Sequence, residues 1–193
     1  MVRANPERIV PPSPAEVVDL LLGAGAVRFG RFTLTSGQTS DVYVDVKRAW
    51  TDPARLSLLA RALAARAGAE PRLGGMELGA VPLVVATALL LGRPFVVLRK
   101  QPRDHGTRQA FEGELSAGDA VLLIEDVAST GGSSLRSVEI LREHGAVVER
   151  AIVVVDREMG ARERLATAGV RLEALATLSD LRGARAERPG PSA

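Results

Sequence analysis

The segment Val121-Leu122-Leu123-Ile124-Glu125-Asp126-Val127-Ala128-Ser129-Thr130-Gly131-Gly132-Ser133-Ser134 holds the residue types best able to do chemistry in this chain. A short apolar run reads as a strand, two adjacent acids end it, and a turn of small, hydroxylated and glycine residues leads into a helical pattern. Ligands of open α/β sheets bind beyond the carboxyl ends of strands, so this turn is where a ligand is expected. Glycines let successive backbone N–H groups aim at one point, and the positive end of a helix dipole adds to them. A phosphate monoester satisfies such donors, with the hydroxyls of Ser129, Thr130 and Ser133 as further contacts. Glu125 and Asp126 would repel that phosphate; they suit hydroxyl donors such as the 2- and 3-hydroxyls of a ribose. Acids and cradle together point to a ribose 5-phosphate. A strand–turn–helix junction whose acids are merely solvated accounts for less of the combination. Neither G-x-x-x-x-G-K-[ST] nor G-x-G-x-x-G after a strand occurs, which removes the P-loop and the dinucleotide fingerprint.

Such a turn must be held by alternating strands and helices, and the rest of the chain reads that way. Ser13-Pro14-Ala15-Glu16 combines an N-cap, a proline at the first helical position and a capping acid, which predicts a helix ending near Gly23. Val42 to Val46 is rich in β-formers and predicts a strand. Asp52-Pro53 repeats the cap-then-proline signal and predicts a helix to about Arg66. Continuous apolar runs at 73–78, 95–98, 121–124 and 152–155 predict parallel strands covered on both faces. Helical patterns at 81–91, 133–144 and 161–168 lie among them, the last two followed by Gly145 and Gly169. The fold class is therefore α/β, with a central, mainly parallel sheet flanked by helices. Gln101 to Asp119 breaks the rhythm, being polar and punctuated by glycine, and a loop of that length in a compact domain is usually functional or disordered. One domain over residues 1–181 is expected, with 182–193 as a flexible tail.

Composition narrows the classes further. The chain has 193 residues, 46% hydrophobic and 25% charged, enough for one globular domain with its own core. The net charge of +2 is matched by the last residues, Arg182, Arg185 and Arg188 against Glu187, so the body is near neutral. With one Trp, one Tyr and four Phe it also lacks a platform for stacking bases, and no nucleic-acid partner is expected. The absence of cysteine removes disulfides, thiolate metal sites and a Cys nucleophile. Met1 to Pro14 has no apolar core of a secretory signal, and the apolar run from Ala80 to Leu91 is too short to span a bilayer. A cytoplasmic protein with no membrane partner is expected. Neither His105 nor His144 has partners at zinc spacing, and His144 suits the dipole of a helix end.

The pattern Glu-Asp-Val-x-[Ser/Thr]-Thr-Gly-Gly-Ser after apolar residues, here Glu125 to Ser133, resembles the 5-phosphoribosyl 1-diphosphate (PRPP) signature of the type I phosphoribosyltransferases. Three further segments are most similar to their orotate phosphoribosyltransferase branch. These are Leu34-Thr35-Ser36-Gly37-Gln38-Thr39-Ser40 followed by Tyr43-Val44-Asp45, then Arg99-Lys100-Gln101-Pro102-Arg103-Asp104-His105-Gly106, then Val155-Asp156-Arg157-Glu158-Met159-Gly160. The resemblance runs in order from about Phe29 to Leu178. It implies the type I phosphoribosyltransferase fold, with an N-terminal hood formed largely by about residues 1–50. It also implies transfer of the 5-phosphoribosyl group from PRPP to orotate, giving orotidine 5-monophosphate and pyrophosphate in pyrimidine (UMP) biosynthesis.

The same resemblance implies roles residue by residue. Arg99, Lys100, Arg103 and His105 would meet the diphosphate, Arg103 and His105 as catalytic residues. Glu125, Asp126, Val127, Ala128, Ser129, Thr130, Gly131, Gly132 and Ser133 would bind the rest of PRPP. Ser129 and Arg157 would hold orotate, whose carboxylate suits a planar guanidinium. Mg2+ is the implied cofactor, held mainly by PRPP oxygens rather than by a protein-built site. The loop over 101–119 would close over the site and exclude water, and it would serve the neighbouring active site of a homodimer. Four positions depart from the better-known bacterial pattern: Thr35 and Gly79 stand where lysines are usual, Arg103 replaces lysine and Ser129 replaces threonine. Two rivals therefore stay open, a phosphoribosyltransferase for another base and a non-catalytic PRPP-sensing regulator. A regulator should carry a nucleic-acid face or a partner domain, and neither is legible here.

Overall fold

The structure, a computed structural model, describes residues 10–33, 39–101 and 110–187. The expectations for Leu34 to Gln38 and for Arg103 and His105 lie outside the described residues.

Local hydrogen bonds start the helices where the caps predict. In α1 (Pro14–Gly23) the Ser13 hydroxyl accepts from the Glu16 N–H at 3.2 Å, and the Glu16 carboxylate accepts from the Ser13 N–H at 2.7 Å. In α3 (Pro53–Arg66) the Asp52 carboxylate accepts from the Arg55 N–H at 2.9 Å. Between them lie an antiparallel pair, β1 (Val27–Thr33) and β2 (Thr39–Val44), and a single turn, α2 (Lys47–Trp50). Trp50 packs against the core at the end of α2, with its ring N–H buried. Val17, Leu21, Val27, Val42 and Ala49 of these elements share one buried core with Leu59, Leu63, Ile124 and Ile152.

The body alternates as expected: β3 (Arg72–Met76), α4 (Val81–Leu91), β4 (Phe95–Leu98), β5 (Phe111–Glu112), β6 (Ala120–Ala128), α5 (Gly132–Glu143), β7 (Val147–Asp156), α6 (Ala161–Thr167), β8 (Arg171–Thr177) and α7 (Leu178–Ala186). The six strands order as β5-β4-β3-β6-β7-β8, all parallel except β5, which runs antiparallel to β4. Side chains alternate across the pleat. Leu122 and Ile124 pack with Leu59, Leu63 and Leu83 on the side of α3 and α4. Leu123 packs with Val138, Leu141 and Leu165 on the side of α5 and α6. Among the described residues no helix is long and apolar enough to cross a membrane.

Several elements differ from the reading of the sequence. β6 does not end at Ile124 but pairs with β7 through Glu125, Val127 and Ala128, because β7 runs alongside and offers its backbone there. The expected loop over 101–119 contains β5, whose Phe111 is buried opposite Leu98. β8 and α7 were not anticipated, and a tail from Arg182 gives way to a helix that runs to Ala186. A reciprocal cap between Thr177 and Asp180 starts α7, Leu181 anchors it in the core, and Arg182 reaches Asp41 of β2 at 2.7 Å.

Candidate active site

The carboxyl end of β6 opens on a cleft of about 280 Å³. Glu125, Asp126, Val127, Ser133 and Lys100 line it, joined by Lys47 from α2 and by Leu78 and Gly79 from the β3–α4 turn. The two acids are neighbours in sequence but leave the strand toward opposite faces of the sheet.

Glu125 turns toward α5, is 5% exposed, and has its Oε1 3.1 Å from the Ser137 hydroxyl. That hydroxyl also lies 3.2 Å from the Ser133 carbonyl oxygen, yet it carries a single proton. A protonated Glu125 satisfies both contacts, donating to Ser137 while Ser137 donates to Ser133. Burial, together with the charge of Asp126, pushes the Glu125 carboxyl up to about 8. In the unfolded chain it ionises near its ordinary value of 4.5, so the unfolded state releases this proton first. The stability cost is absent below that value, grows as pH rises toward 8 and then levels. Glu125→Gln imitates the protonated acid, and its Tm is expected to exceed that of the parent by several degrees at pH 8 and by little near pH 5, on the order expected for a small domain. Thermal melts across that range check it; a gap that does not close in acid would sink the protonated assignment.

Asp126 faces the other way. Its Oδ1 accepts from the Val127 N–H at 2.8 Å, and burial raises its carboxyl against the opposing pull of that N–H and of Lys47. Gly79 lies against it so closely that an added Cβ would overlap the carboxylate. A larger side chain here would push Asp126 aside, which gives a physical reason for glycine at a position where the bacterial pattern has lysine.

Beyond Ala128 the turn closes through Gly131, whose φ of +76° favours glycine and whose Cβ would come 3.0 Å from the Ala161 Cα of α6. Among the described residues no side chain caps α5, which leaves its first-turn N–H groups for a ligand, at the end of the helix where the dipole is positive. Ser129, Thr130 and Gly132 belong to the same turn.

Arg157 follows β7 directly, its N–H bonded to the Ala128 carbonyl at 2.8 Å. Its Nη1 donates to the Ser129 hydroxyl at 3.4 Å and its Nη2 to the Ser40 hydroxyl at 3.3 Å, both long contacts to neutral groups. Its Nε is buried without a hydrogen-bond partner among the described residues. Ser129 and Arg157 are thus brought together. Arg99 is turned instead to the sheet edge, giving Nε and Nη2 to Glu112 at 2.9 and 2.7 Å, while Lys100 faces the cleft. Ser40, Lys47, Gly79 and Ser137 complete the site and were not singled out from the sequence as site residues. The Ser-x-x-x-Ser segment was a signal for Ser40, whereas Lys47 lies on a turn of helix that the sequence did not predict. Among the described residues no three His, Asp or Glu side chains gather to hold a metal ion.

This arrangement can be set beside known proteins. The Phosphoribosyl transferase domain family matches residues 56–173. The orotate phosphoribosyltransferase of Natronomonas pharaonis is 51% identical over 166 residues, covering 86% of this chain and 95% of that protein. The one from Pyrococcus abyssi is 45% identical, covering 86% and 93%. Among solved structures, orotate phosphoribosyltransferase from Aeropyrum pernix superposes with a TM-score of 0.79 at 35% identity, over 90% of this chain and 99% of that one. The Mycobacterium tuberculosis enzyme in complex with PRPP superposes with a TM-score of 0.72 at 32% identity, over 89% and 99%. The type I fold expected from the resemblance is borne out, and by these matches the chain belongs to the orotate phosphoribosyltransferases of the phosphoribosyl transferase domain family.

Proposed function

We propose that this protein transfers the 5-phosphoribosyl group from PRPP to N1 of orotate, giving orotidine 5-monophosphate and pyrophosphate, as a cytoplasmic step of pyrimidine biosynthesis. The observation that carries this reading is the acid pair of β6 running straight into the uncapped start of α5, with Arg157 held beside that turn by Ser129 and Ser40.

In this reading the 5-phosphate sits on the N–H groups of Ser129 to Ser133, and Asp126 accepts hydroxyls of the ribose. Arg157 and Ser129 orient orotate so that deprotonated N1 faces C1. The N1–C1 bond forms with inversion as the C1–O bond breaks, and the pyrophosphate leaves with the electron pair. Positive charge builds on the ribose and negative charge on the leaving group, so positioned charges supply most of the catalysis. Asp126, an oxygen donor at the strand end, fits an oxygen-preferring ion that takes its other ligands from diphosphate and ribose. Mg2+ bound in that way would neutralise diphosphate charge. Lys100 faces the diphosphate end of the cleft, and Arg99 secures the base of the loop from the sheet edge. Arg103 and His105 are assigned to the same leaving group, reaching it from the partner subunit.

The dimer has support in α4. Its sequence, Val-Pro-Leu-Val-Val-Ala-Thr-Ala-Leu-Leu-Leu, contains no charge. Leu83, Val84, Thr87 and Ala88 face the core, while Leu89 is 75% exposed and Leu78, just before the helix, is 62% exposed. A helix apolar all round calls for cover on both sides, and a second copy of the chain supplies it.

The test is the loss of orotate's near-ultraviolet absorbance on mixing with PRPP and Mg2+, with Asp126→Ala beside the parent. The absorbance is expected to fall with the parent and far more slowly with the variant. Absence of any fall while PRPP still binds would remove orotate as the acceptor and open a screen of other bases.

A further inference from the structure

We propose that Lys47 is a diphosphate-binding residue of this site, an ammonium carried into the cleft by α2 to meet the leaving group of PRPP. The proposal rests on the phosphoribosyl-transfer reading.

A diphosphate brings several negative charges to a cleft whose floor already holds the Asp126 carboxylate. It therefore needs cations on the wall beside Asp126. Position 79 supplies none, because it is a glycine packed against that carboxylate. Arg99 is engaged at the sheet edge by Glu112. Lys47 and Lys100 are the cations that line the cleft among the described residues.

Lys47 is also held in a way that suits the task. Its Nζ lies 2.7 Å from Asp45 Oδ1, with the lysine side chain half exposed and the aspartate only 20% exposed. Asp45, as the paired carboxylate, and Asp126, through its charge, hold the lysine above its usual pKa, so it stays protonated. An ion pair between residues two apart at a surface contributes little to stability, so stability alone does not account for a pair that opens onto this cleft. An ammonium has three donors, more than a single carboxylate oxygen can engage, which leaves donors for phosphate oxygens. As the C1–O bond breaks, charge grows on the diphosphate, and a cation already in place stabilises that state more than the bound substrate.

The test compares ligands that share the 5-phosphate but differ at C1. Calorimetric titrations with Mg2+ present would measure PRPP, pyrophosphate and ribose 5-phosphate against the parent, Lys47→Ala and Lys47→Arg. Lys47→Ala is expected to weaken PRPP and pyrophosphate by at least about tenfold, leave ribose 5-phosphate within about twofold, and lower kcat, with Lys47→Arg recovering most of the loss. Lys47→Met, which keeps the apolar stem, replaces the alanine variant if the latter does not fold. Equal weakening of PRPP and ribose 5-phosphate, or no change in either, would overturn the proposal and leave Lys47 a structural partner of Asp45. If the parent binds neither PRPP nor ribose 5-phosphate, the phosphoribosyl reading itself fails, and the proposal with it.

Discussion

Arg157→Ala is expected to lower kcat/KM for orotate by about 10³-fold while PRPP affinity stays within about twofold. The guanidinium is fixed by long contacts to two neutral hydroxyls and has a buried Nε without a partner among the described residues. Such a group is short of an acceptor, and a carboxylate or ring carbonyl matches its fork. Removing one member of a desolvated, charge-assisted pair leaves the other unpaired, which costs on the order of 2–5 kcal/mol and sets the expected size. Arg157→Lys keeps the charge but loses the fork and is expected to recover only part of the activity. Varying each substrate in turn at steady state, with calorimetry for PRPP, separates the effects. If PRPP affinity falls as far as orotate use, Arg157 acts by tying β2 to the turn after β6 and does not read the base.

Co-expression of Arg157→Ala and Arg103→Ala chains is expected to restore about a quarter of the parent's activity, although each variant alone is nearly inactive. Random assortment makes half of the dimers mixed. In a mixed dimer one site receives both lesions, and the other joins an intact Arg157 to an intact loop from the neighbour. Differential tags on the two chains allow the mixed species to be isolated and assayed. A mixed dimer no more active than its parents would show that the loop serves its own subunit. Absence of any mixed species would remove the α4 face as a dimer surface.

How far the sequence alone reached depended on whether short-range or long-range forces decide an element. Ser13 and Asp52 place helix starts to the residue because a cap is a local hydrogen bond. The apolar runs of β3 and β4 were legible because strands buried on both faces carry little else. Arg171-Leu-Glu-Ala-Leu-Ala-Thr is rich in helix formers, and only pairing with β7 makes it β8. The acids and the phosphate cradle were legible as chemistry because they are contiguous. Their different environments were not, since one faces Ser137 and the other Gly79 through the pleat. Ser40 meets Arg157 across 117 positions, a distance that no motif spacing encodes.

Trp50 is the chain's single tryptophan, and it sits at the end of α2, three residues past Lys47. Light at the red edge of protein absorption therefore excites one ring in the whole subunit, and that ring belongs to α2 rather than to the sheet. Its ring packs against the apolar core and its indole N–H is buried without a hydrogen-bond partner among the described residues, so the emitted colour depends on how α2 packs against the body. The protein thus carries its own optical gauge of that contact, on the helix that brings Lys47 to the cleft and readable without a label.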